Sequence, residues 1–163
     1  MLRSLVPLTA VVFLAGCATQ RPLPKWEKPL AKSDFQTVRT TAYTHTESDH
    51  LQYGRANALG STLLAGNINS ASADWGRWPA GTVFRVIPTG ETYVVDDYGW
   101  ALAGTNTIDL YKPTRTDMNR WGVKRVDIQI LQWGSPRESY STLAPRAKHR
   151  HVQRMLKELR SEI

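Results

Sequence analysis

The strongest constraint on the fold is a series of short β-type runs, separated by turn residues, that begins at Phe35. The run VKRVDIQIL alternates, so that Val126, Ile128 and Ile130 fall on one face, which we assign to the core. The stretch TVFRVIPTGETYVVDD predicts two strands joined by a Pro-Thr-Gly-Glu turn. Many short strands within about 100 residues favour a small closed barrel.

Two more β-type runs and one helix complete this pattern. FQTVRTTAYT and NTIDLY are rich in Thr, Val, Ile and Tyr, as strands are. TRTDMNRWG begins with residues typical of a helix start and ends at Gly122, so it predicts one short helix. The fold class that we expect is therefore all-β.

The C-terminal residues have a different pattern. Their apolar side chains recur at helical spacing and predict an amphipathic helix: Val152, Met155, Leu156, Leu159 and Ile163. This helix either docks on the barrel or lies solvated; the alternative is a basic helix that touches anionic lipid or wall polymer. We interpret His149 and His151 as solvated side chains, because no third metal ligand follows at a suggestive spacing.

The net charge of +7 is concentrated in this tail, where six Lys or Arg and two Glu lie between Arg146 and Glu162. The charge therefore describes the tail more than the domain, and its distribution argues against nucleic-acid binding.

The N-terminus predicts export. The apolar run from Leu5 to Leu14 follows Arg3 and is too short to span a bilayer, as in a secretory signal peptide. Cys17, which follows Leu14-Ala15-Gly16, is the single cysteine, and this pattern resembles a bacterial lipobox with Cys17 as the lipidated residue. The alternative is a signal peptide without lipidation. Ala18 favours, by the same resemblance, the periplasmic face of the outer membrane.

We divide the chain into four parts on these grounds. Residues 1–16 form the signal peptide, and residues 17–34 form a Pro-rich tether without periodicity. Residues 35–134 form the barrel, and residues 135–163 form the basic helical tail.

Three acidic positions lie at the ends or turns of β-type runs. Asp109 alternates with apolar neighbours, so it projects from the face opposite to the core, whereas Asp97 ends a β run and Asp74 precedes a Pro-Ala-Gly turn. Each one alone is explained as well by a bond to its own backbone. Between Val86 and Tyr111 the chain has no Lys or Arg, which favours a shared acidic cleft.

Four motifs in order resemble the 3D domain, a family named for three aspartates: TAYT, ADWGRWPAGT, VDDYGWALAG and IDLY. The family includes the C-terminal part of membrane-bound lytic transglycosylase A and small stand-alone peptidoglycan-cleaving domains. The resemblance covers about Val38 to Leu131. It departs in Tyr98-Gly99-Trp100, where the family often has Thr-Gly-Gly.

The resemblance implies a small six-stranded double-psi β-barrel and places the three aspartates at Asp74, Asp97 and Asp109. Asp97 fits better than Asp96, since the family pattern is Asp, any residue, Gly. Asp109 matches the catalytic acid. The implied activity is that of a lytic transglycosylase, which cleaves peptidoglycan glycan strands between N-acetylmuramic acid and N-acetylglucosamine without a cofactor.

This chemistry needs a carboxylic acid that is still protonated near neutral pH. Neighbouring carboxylates raise a pKa, so Asp97 and Asp74 are expected to keep Asp109 protonated. The sugar's 6-hydroxyl then attacks to give a 1,6-anhydro product, and the same carboxylate takes its proton. A hydrolase would use two opposed carboxylates, which these acids could also supply.

Substrate contacts are expected from residues beside the acids. Tyr43 and Thr44 match the first motif, and Tyr98, Gly99 and Trp100 follow Asp97, with Trp100 as the preferred stacking residue. The alternative is that these aromatic side chains have a structural role and pack the core or rim of the barrel.

We expect the partners to be peptidoglycan and, through Cys17, a membrane, with the protein a monomer. An alternative of another class is a peptidoglycan-binding or scaffold lipoprotein that keeps the barrel without turnover. A third is a metal-dependent hydrolase that uses the three Asp, but no dedicated metal-binding loop pattern is present, and we expect no metal.

Overall fold

A computed structural model describes residues 21–48 and 50–163, so the predicted signal peptide and Cys17 lie outside the described residues. The strands are β1 (Phe35–Tyr43), β2 (Asn69–Ser72), β3 (Val83–Val86), β4 (Thr92–Asp97), β5 (Thr107–Tyr111) and β6 (Lys124–Gln132). The helices are α1 (Arg115–Trp121), α2 (Pro136–Leu143) and α3 (Arg150–Leu159), with a 3-10 turn over Ala144–Arg146.

The six strands close into one barrel in the order β1-β5-β2-β4-β3-β6. β1 pairs in parallel with β5, and β2 pairs in parallel with β4, whereas the other four neighbours are antiparallel. The prediction of a small six-stranded all-β barrel is confirmed, and so is the hairpin of β3 and β4.

The barrel interior is filled by the apolar face of each strand. Val126, Ile128 and Ile130 of β6 are buried, as the alternation predicted. Ile108 and Leu110 of β5 are fully buried as well, so Asp109 between them projects from the other face. Burial of each such aliphatic side chain contributes roughly 1.5–3 kcal/mol, which makes this core the main source of stability.

Helix α1 begins and ends where its sequence predicts. The Thr114 hydroxyl accepts a hydrogen bond from the backbone N–H of Asp117, and Gly122 ends the helix at φ 63° with its N–H donated to the Met118 carbonyl. The helix thereby directs the Trp121 indole to the Thr40 hydroxyl on β1, at 3.2 Å.

The predicted C-terminal amphipathic helix is confirmed as α3, although it ends at Leu159 and leaves Ile163 exposed. Helix α2 and the 3-10 turn, which were not predicted, precede it. The apolar side chains of this C-terminal region are buried in the same cluster as the barrel core: Leu143, Val152, Met155, Leu156 and Leu159. The helical tail therefore docks on the barrel. Within residues 21–48 and 50–163, no helix is long and apolar enough to cross a membrane.

The described part of the predicted tether is packed on the folded domain. The backbone N–H of Glu27 donates to the Gly104 carbonyl at 2.8 Å, and the Trp26 indole donates to Glu158 of α3 at 2.9 Å. Arg154 of α3 donates to the Pro24 carbonyl at 2.8 Å. From Pro24 onward, this segment is therefore held against the loop before β5 and against α3.

Candidate functional site

A β-bulge at the end of β4 brings two adjacent aspartates to one region. Ala71 of β2 pairs with Val95, but the next residue, Ser72, pairs with Asp97, so the register passes over Asp96. Successive side chains of a regular strand point to opposite faces, and a bulge redirects them. The sequence pattern favours Asp97 over Asp96, whereas the structure brings both to the same region.

Asp97 and Asp109 flank the same residue of β2. Ser72 pairs with Asp97 on one side and with Asp109 of β5 on the other. Asp97 is 9% exposed, whereas Asp109 is only partly buried. The Thr41 hydroxyl of β1 donates a hydrogen bond to Asp109 Oδ1 at 2.6 Å, which orients that carboxylate.

The phenol of Tyr43 contacts one of these carboxylates and is influenced by the charges of all three. Its hydroxyl donates to Asp97 Oδ2 at 3.3 Å. Burial raises the pKa of Tyr43 well above its usual value, and the negative charges of Asp97, Asp96 and Asp109 raise it further, in that order. Tyr43 therefore stays a neutral donor, and all three carboxylates lie close enough to influence it. We name Asp96, Asp97, Asp109 and Tyr43 the cleft cluster.

Asp96 is the most enclosed acid of the cleft cluster. Its Oδ2 accepts hydrogen bonds from Ser70 at 2.6 Å and from Asn57 at 2.9 Å, while its buried Oδ1 has no hydrogen-bond partner among the described residues. Burial raises the pKa of Asp96; the bonds from Ser70 and Asn57 oppose this rise, and the charge of Asp97 adds to it. Protonation of Asp96 is thus made easier than for a solvated aspartate.

Two residues of the connection between β1 and β2 contact the aspartates at the end of β4: His50 lies beside Asp97, and Asn57 binds Asp96. His50 Nε2 lies 3.6 Å from Asp97 Oδ2, and His50 Nδ1 lies 3.1 Å from the Gly54 carbonyl. The Asp97 carboxylate raises the pKa of His50, although burial works against it. Asn57 binds Asp96 and also accepts the backbone N–H of Ser61 at 2.9 Å. Sequence reasoning missed His50 and Asn57, because neither lies in a motif.

Asp74, the first aspartate of the set, has a different environment. It is fully buried, and its oxygens accept the backbone N–H groups of Gly76, at 2.7 Å, and Gly104. Gly104 has φ +79°, a left-handed conformation that favours glycine and lets its N–H reach the carboxylate. Arg77 Nε lies 3.9 Å from Asp74 and 3.5 Å from Glu158 of α3. We name Asp74, Arg77 and Glu158 the buried cluster.

The pKa of Asp74 is raised to about 6. Burial is the largest cause and the charge of Glu158 the next; the two backbone N–H groups and Arg77 oppose them. None of these causes is a carboxylate of the cleft cluster, and the partners of Asp74 join β2 to α3 and to the loop before β5.

The predicted substrate-binding residues divide into two groups. Tyr43 lies in the cleft cluster, whereas the hydroxyl of the buried Thr44 donates to the Pro113 carbonyl at 3.4 Å. Tyr98 packs edge-to-face on Trp75, with ring centroids 5.1 Å apart, and contacts the His151 ring of the tail at 5.9 Å. Its ring is therefore engaged by core and tail. His151 itself is partly buried, and burial lowers its pKa.

Gly99 and Trp100 follow on the same turn. A side chain at Gly99 would come within 3.9 Å of the Ser72 hydroxyl. Ser72 lies on β2 and pairs with both Asp97 and Asp109. Trp100 is 37% exposed, and the guanidinium of Arg21 lies 5.4 Å from its ring centroid. Trp100 is therefore partly exposed, and Arg21 lies over one face of its indole.

Two further features bear on the chemistry. No group of three or more His, Cys, Asp or Glu side chains in the described part of the chain could hold a metal ion. A cavity of about 200 Å³ lies beside the buried cluster, between the N-terminal segment and α3, where Lys32, Arg77 and Glu158 line it. This cavity does not include the cleft cluster.

Comparison with known proteins gives two relatives, and no protein-family model matches the chain. The cell wall-binding protein YocH of Bacillus subtilis (strain 168) is 37% identical over 54 residues, which cover 29% of this chain and 19% of YocH. The putative cell wall shaping protein YabE of the same organism is 27% identical over 133 residues, which cover 69% of this chain and 30% of YabE. The chain thus spans less than a third of either relative.

Proposed function

We propose that this protein binds the glycan strands of cell-wall peptidoglycan at the cleft cluster. The observation that carries the proposal is the placement of Asp97 and Asp109 on the two sides of Ser72, with the Tyr43 phenol bound to Asp97 and the partly exposed Trp100 on the turn after β4. Carboxylates accept hydrogen bonds from sugar hydroxyl and amide groups, and an indole offers a flat apolar face to a sugar ring. The names of both relatives concern the cell wall, which supports this polymer as the ligand.

A cell-wall ligand also supports a location outside the cytoplasm. Lipidation of Cys17 and attachment to the outer membrane are finer proposals that rest on the lipobox pattern. Fractionation of cells that express the wild type or Cys17→Ala checks them. The wild type is expected in the membrane fraction and the variant in the soluble exported fraction; equal partition of the two proteins contradicts the anchor.

Cleavage of the bound strand is a second candidate function, and one observation favours it. Asp109 is the most accessible acid of the cleft cluster, and Thr41 orients it. In this reaction the Asp109 carboxyl gives its proton to the glycosidic oxygen, and the bond to the anomeric carbon breaks. The 6-hydroxyl of the same sugar forms the new bond to that carbon and returns its proton to Asp109, which yields the 1,6-anhydro end.

One experiment separates the two functions. The purified protein is incubated with peptidoglycan sacculi, the sacculi are sedimented, and the supernatant is analysed by mass spectrometry. Protein in the pellet without released fragments supports binding alone, anhydro-muropeptides support lytic cleavage, and new reducing ends indicate hydrolysis. If the protein is not retained on the sacculi and no fragments are released, the proposed function is wrong.

Asp109→Asn tests the assigned acid, and Asp127→Asn is its matched control. Both carboxylates accept a hydrogen bond from a threonine of β1: Thr41 to Asp109 at 2.6 Å and Thr37 to Asp127 at 2.5 Å. The loss of a general acid costs about 100-fold or more in rate. We expect this loss of fragment release in Asp109→Asn and wild-type release in Asp127→Asn. Wild-type release by Asp109→Asn excludes the assigned role.

A further inference from the structure

Residues 50–55, on the connection between β1 and β2, extend the cleft cluster outward. Ring contacts run without a break from the buried phenol to the surface: Tyr43 to His50 at 5.6 Å, and His50 to Tyr53 at 6.0 Å, edge-on. Tyr53 is 61% exposed. An accessible aromatic face therefore stands two ring contacts away from Tyr43 and its carboxylates.

The same segment is held in shape by short-range bonds. The backbone N–H groups of His50 and Leu51 both donate to the Glu47 carbonyl at 3.0 Å, and that of Tyr53 donates to the His50 carbonyl at 2.9 Å. Gly54, at φ +59°, turns its carbonyl back to His50 Nδ1 at 3.1 Å. These successive turns fix the position of the Tyr53 ring relative to His50.

His50 is the point at which this segment is joined to the acids. Its Nε2 faces Asp97 Oδ2 at 3.6 Å, and the ring lies against Tyr43. Farther along, the charge of Arg55 is close enough to Tyr111 to lower the pKa of that phenol, although burial raises it overall. Tyr111 in turn packs on Tyr43, with ring centroids 5.5 Å apart, so both ends of the segment lie beside the cleft cluster.

We propose that residues 50–55 form a second subsite for the glycan strand, in which Tyr53 stacks on a sugar ring and His50 positions the segment against Asp97. This inference rests on the proposed function, since it assumes a strand that passes the cleft cluster. A neutral sugar strand needs flat apolar faces spaced beside hydrogen-bonding groups, and Tyr53 beside His50 and Asp97 supplies that combination. Tyr53 and His50 are positioning and binding residues, and Asp109 keeps the chemical role.

The first test is the affinity of Tyr53 variants for sacculi, measured by depletion of protein from the supernatant. Loss of one aromatic stacking contact is expected to weaken binding about three- to tenfold in Tyr53→Ala, and Tyr53→Trp is expected to restore it. The matched control is Phe35→Ala, because Phe35 is 60% exposed and lies at the other end of β1, about 25 Å along the strand from Tyr43. Equal affinity of Tyr53→Ala and the wild type overturns the subsite.

The second test is the pH dependence of binding. A merely structural role of the segment would not make binding depend on the protonation of His50. The titratable groups that face His50 are Asp97 from β4, Tyr43 from β1 and Tyr53 from its own segment. Protonated His50 pairs with Asp97 and holds the segment, so wild-type affinity is expected to fall as pH rises from 6 through the raised pKa of His50. His50→Gln is expected to bind more weakly at pH 6 and to lose this pH dependence.

The outcomes distinguish this inference from the proposed function. If the wild type binds sacculi and both Tyr53→Ala and His50→Gln bind as the wild type does at every pH, the subsite is wrong and the cleft proposal stands. If the wild type does not bind, both fail. Circular dichroism of each variant checks that the barrel is folded.

Discussion

The molecule has two acidic clusters near the end of β2, and their surroundings differ. In the buried cluster, backbone N–H groups bind Asp74, and Arg77 lies between Asp74 and Glu158. In the cleft cluster, most groups that contact Asp97 and Asp109 are side chains: the phenol of Tyr43, the hydroxyl of Thr41 and the imidazole of His50. One backbone group, the N–H of Tyr98, also donates to Asp97. The central acid of the buried cluster, Asp74, is fully buried, whereas Asp109 of the cleft cluster is partly exposed.

This difference separates a structural role from a chemical one. Buried carboxylates held by backbone donors and an arginine fix the loops that carry those donors. Carboxylates held by hydroxyl and imidazole groups can exchange protons or hydrogen bonds with a ligand. The contrast is the reason why the proposed function uses Asp97 and Asp109 and leaves Asp74, which contacts the loop before β5 and lies near Arg77 and Glu158, with a structural role.

The largest expected effect comes from removing the cation of the buried cluster. Arg77→Met leaves Asp74 and Glu158 without their shared guanidinium and also removes hydrogen bonds to Asn106 and to the Glu27 carbonyl. Breaking a buried ion pair from one side costs about 3–5 kcal/mol, and we expect this loss in the free energy of unfolding from urea titration at pH 7.

The control for this prediction is an exposed arginine. Arg120 pairs with Asp117 at 2.7 Å, but its side chain is 73% exposed. Arg120→Met should change the free energy of unfolding by less than about 1 kcal/mol. If both substitutions lower the free energy of unfolding equally, Arg77 in the buried cluster contributes no more than an arginine at the surface.

The next effect is a pH dependence of stability due to Asp74. Its pKa is about 6 in the folded protein against an ordinary 3.8, so the folded state holds the proton more tightly. The contribution of Asp74 to stability is therefore present below pH 3.8 and is lost as the pH rises through about 6. From pH 4 to pH 7, the free energy of unfolding should fall in the wild type by on the order of 2–3 kcal/mol relative to Asp74→Asn.

Urea titrations of both proteins at several pH values measure this difference. Comparing the two proteins cancels the titration of His50, Asp96 and Glu91, whose pKa values are also shifted. A difference that does not vary between pH 4 and pH 7 would show that Asp74 titrates as a solvated group.

The smallest expected effect compares two threonines of β1. Thr41→Val removes the hydrogen bond to Asp109, and Thr37→Val removes the equivalent bond to Asp127. Each should lower the free energy of unfolding by about 0.5–1.5 kcal/mol. Only Thr41→Val should also weaken retention on sacculi or fragment release, because Thr41 orients an acid of the cleft cluster. A functional loss in both variants would point to a general effect on β1.

Elements with strong local signals were predictable from the sequence. The alternation of Val126, Ile128 and Ile130 identified the buried face of β6, and Thr114 with Gly122 delimited α1. Strand β2 was not predicted, because its residues, Asn-Ser-Ala-Ser, have low β-propensity. All four of its residues pair with β4, and Ala71 and Ser72 also pair with β5, so tertiary pairing alone makes it a strand.

The candidate site was predictable only in part. The position of Asp109 opposite to the core face of β5 follows from its alternation, but the joint placement of Asp96 and Asp97 depends on a bulge that the sequence does not signal. His50 reaches Asp97 through turns in a connection without motifs.

By itself, the sequence determined the barrel class, the faces of β5 and β6, the limits of α1 and the two acids that lie on either side of Ser72. These are local properties, because a period of two residues or a capping side chain acts within a few positions of the chain. The tertiary structure alone decided that Asp74 belongs with Arg77 and Glu158 and that His50 belongs with Asp97. Arg77 is only three residues from Asp74, but Glu158 and His50 are far along the chain from the aspartates that they join. Docking of the tail and packing of the connection between β1 and β2 bring those charges together.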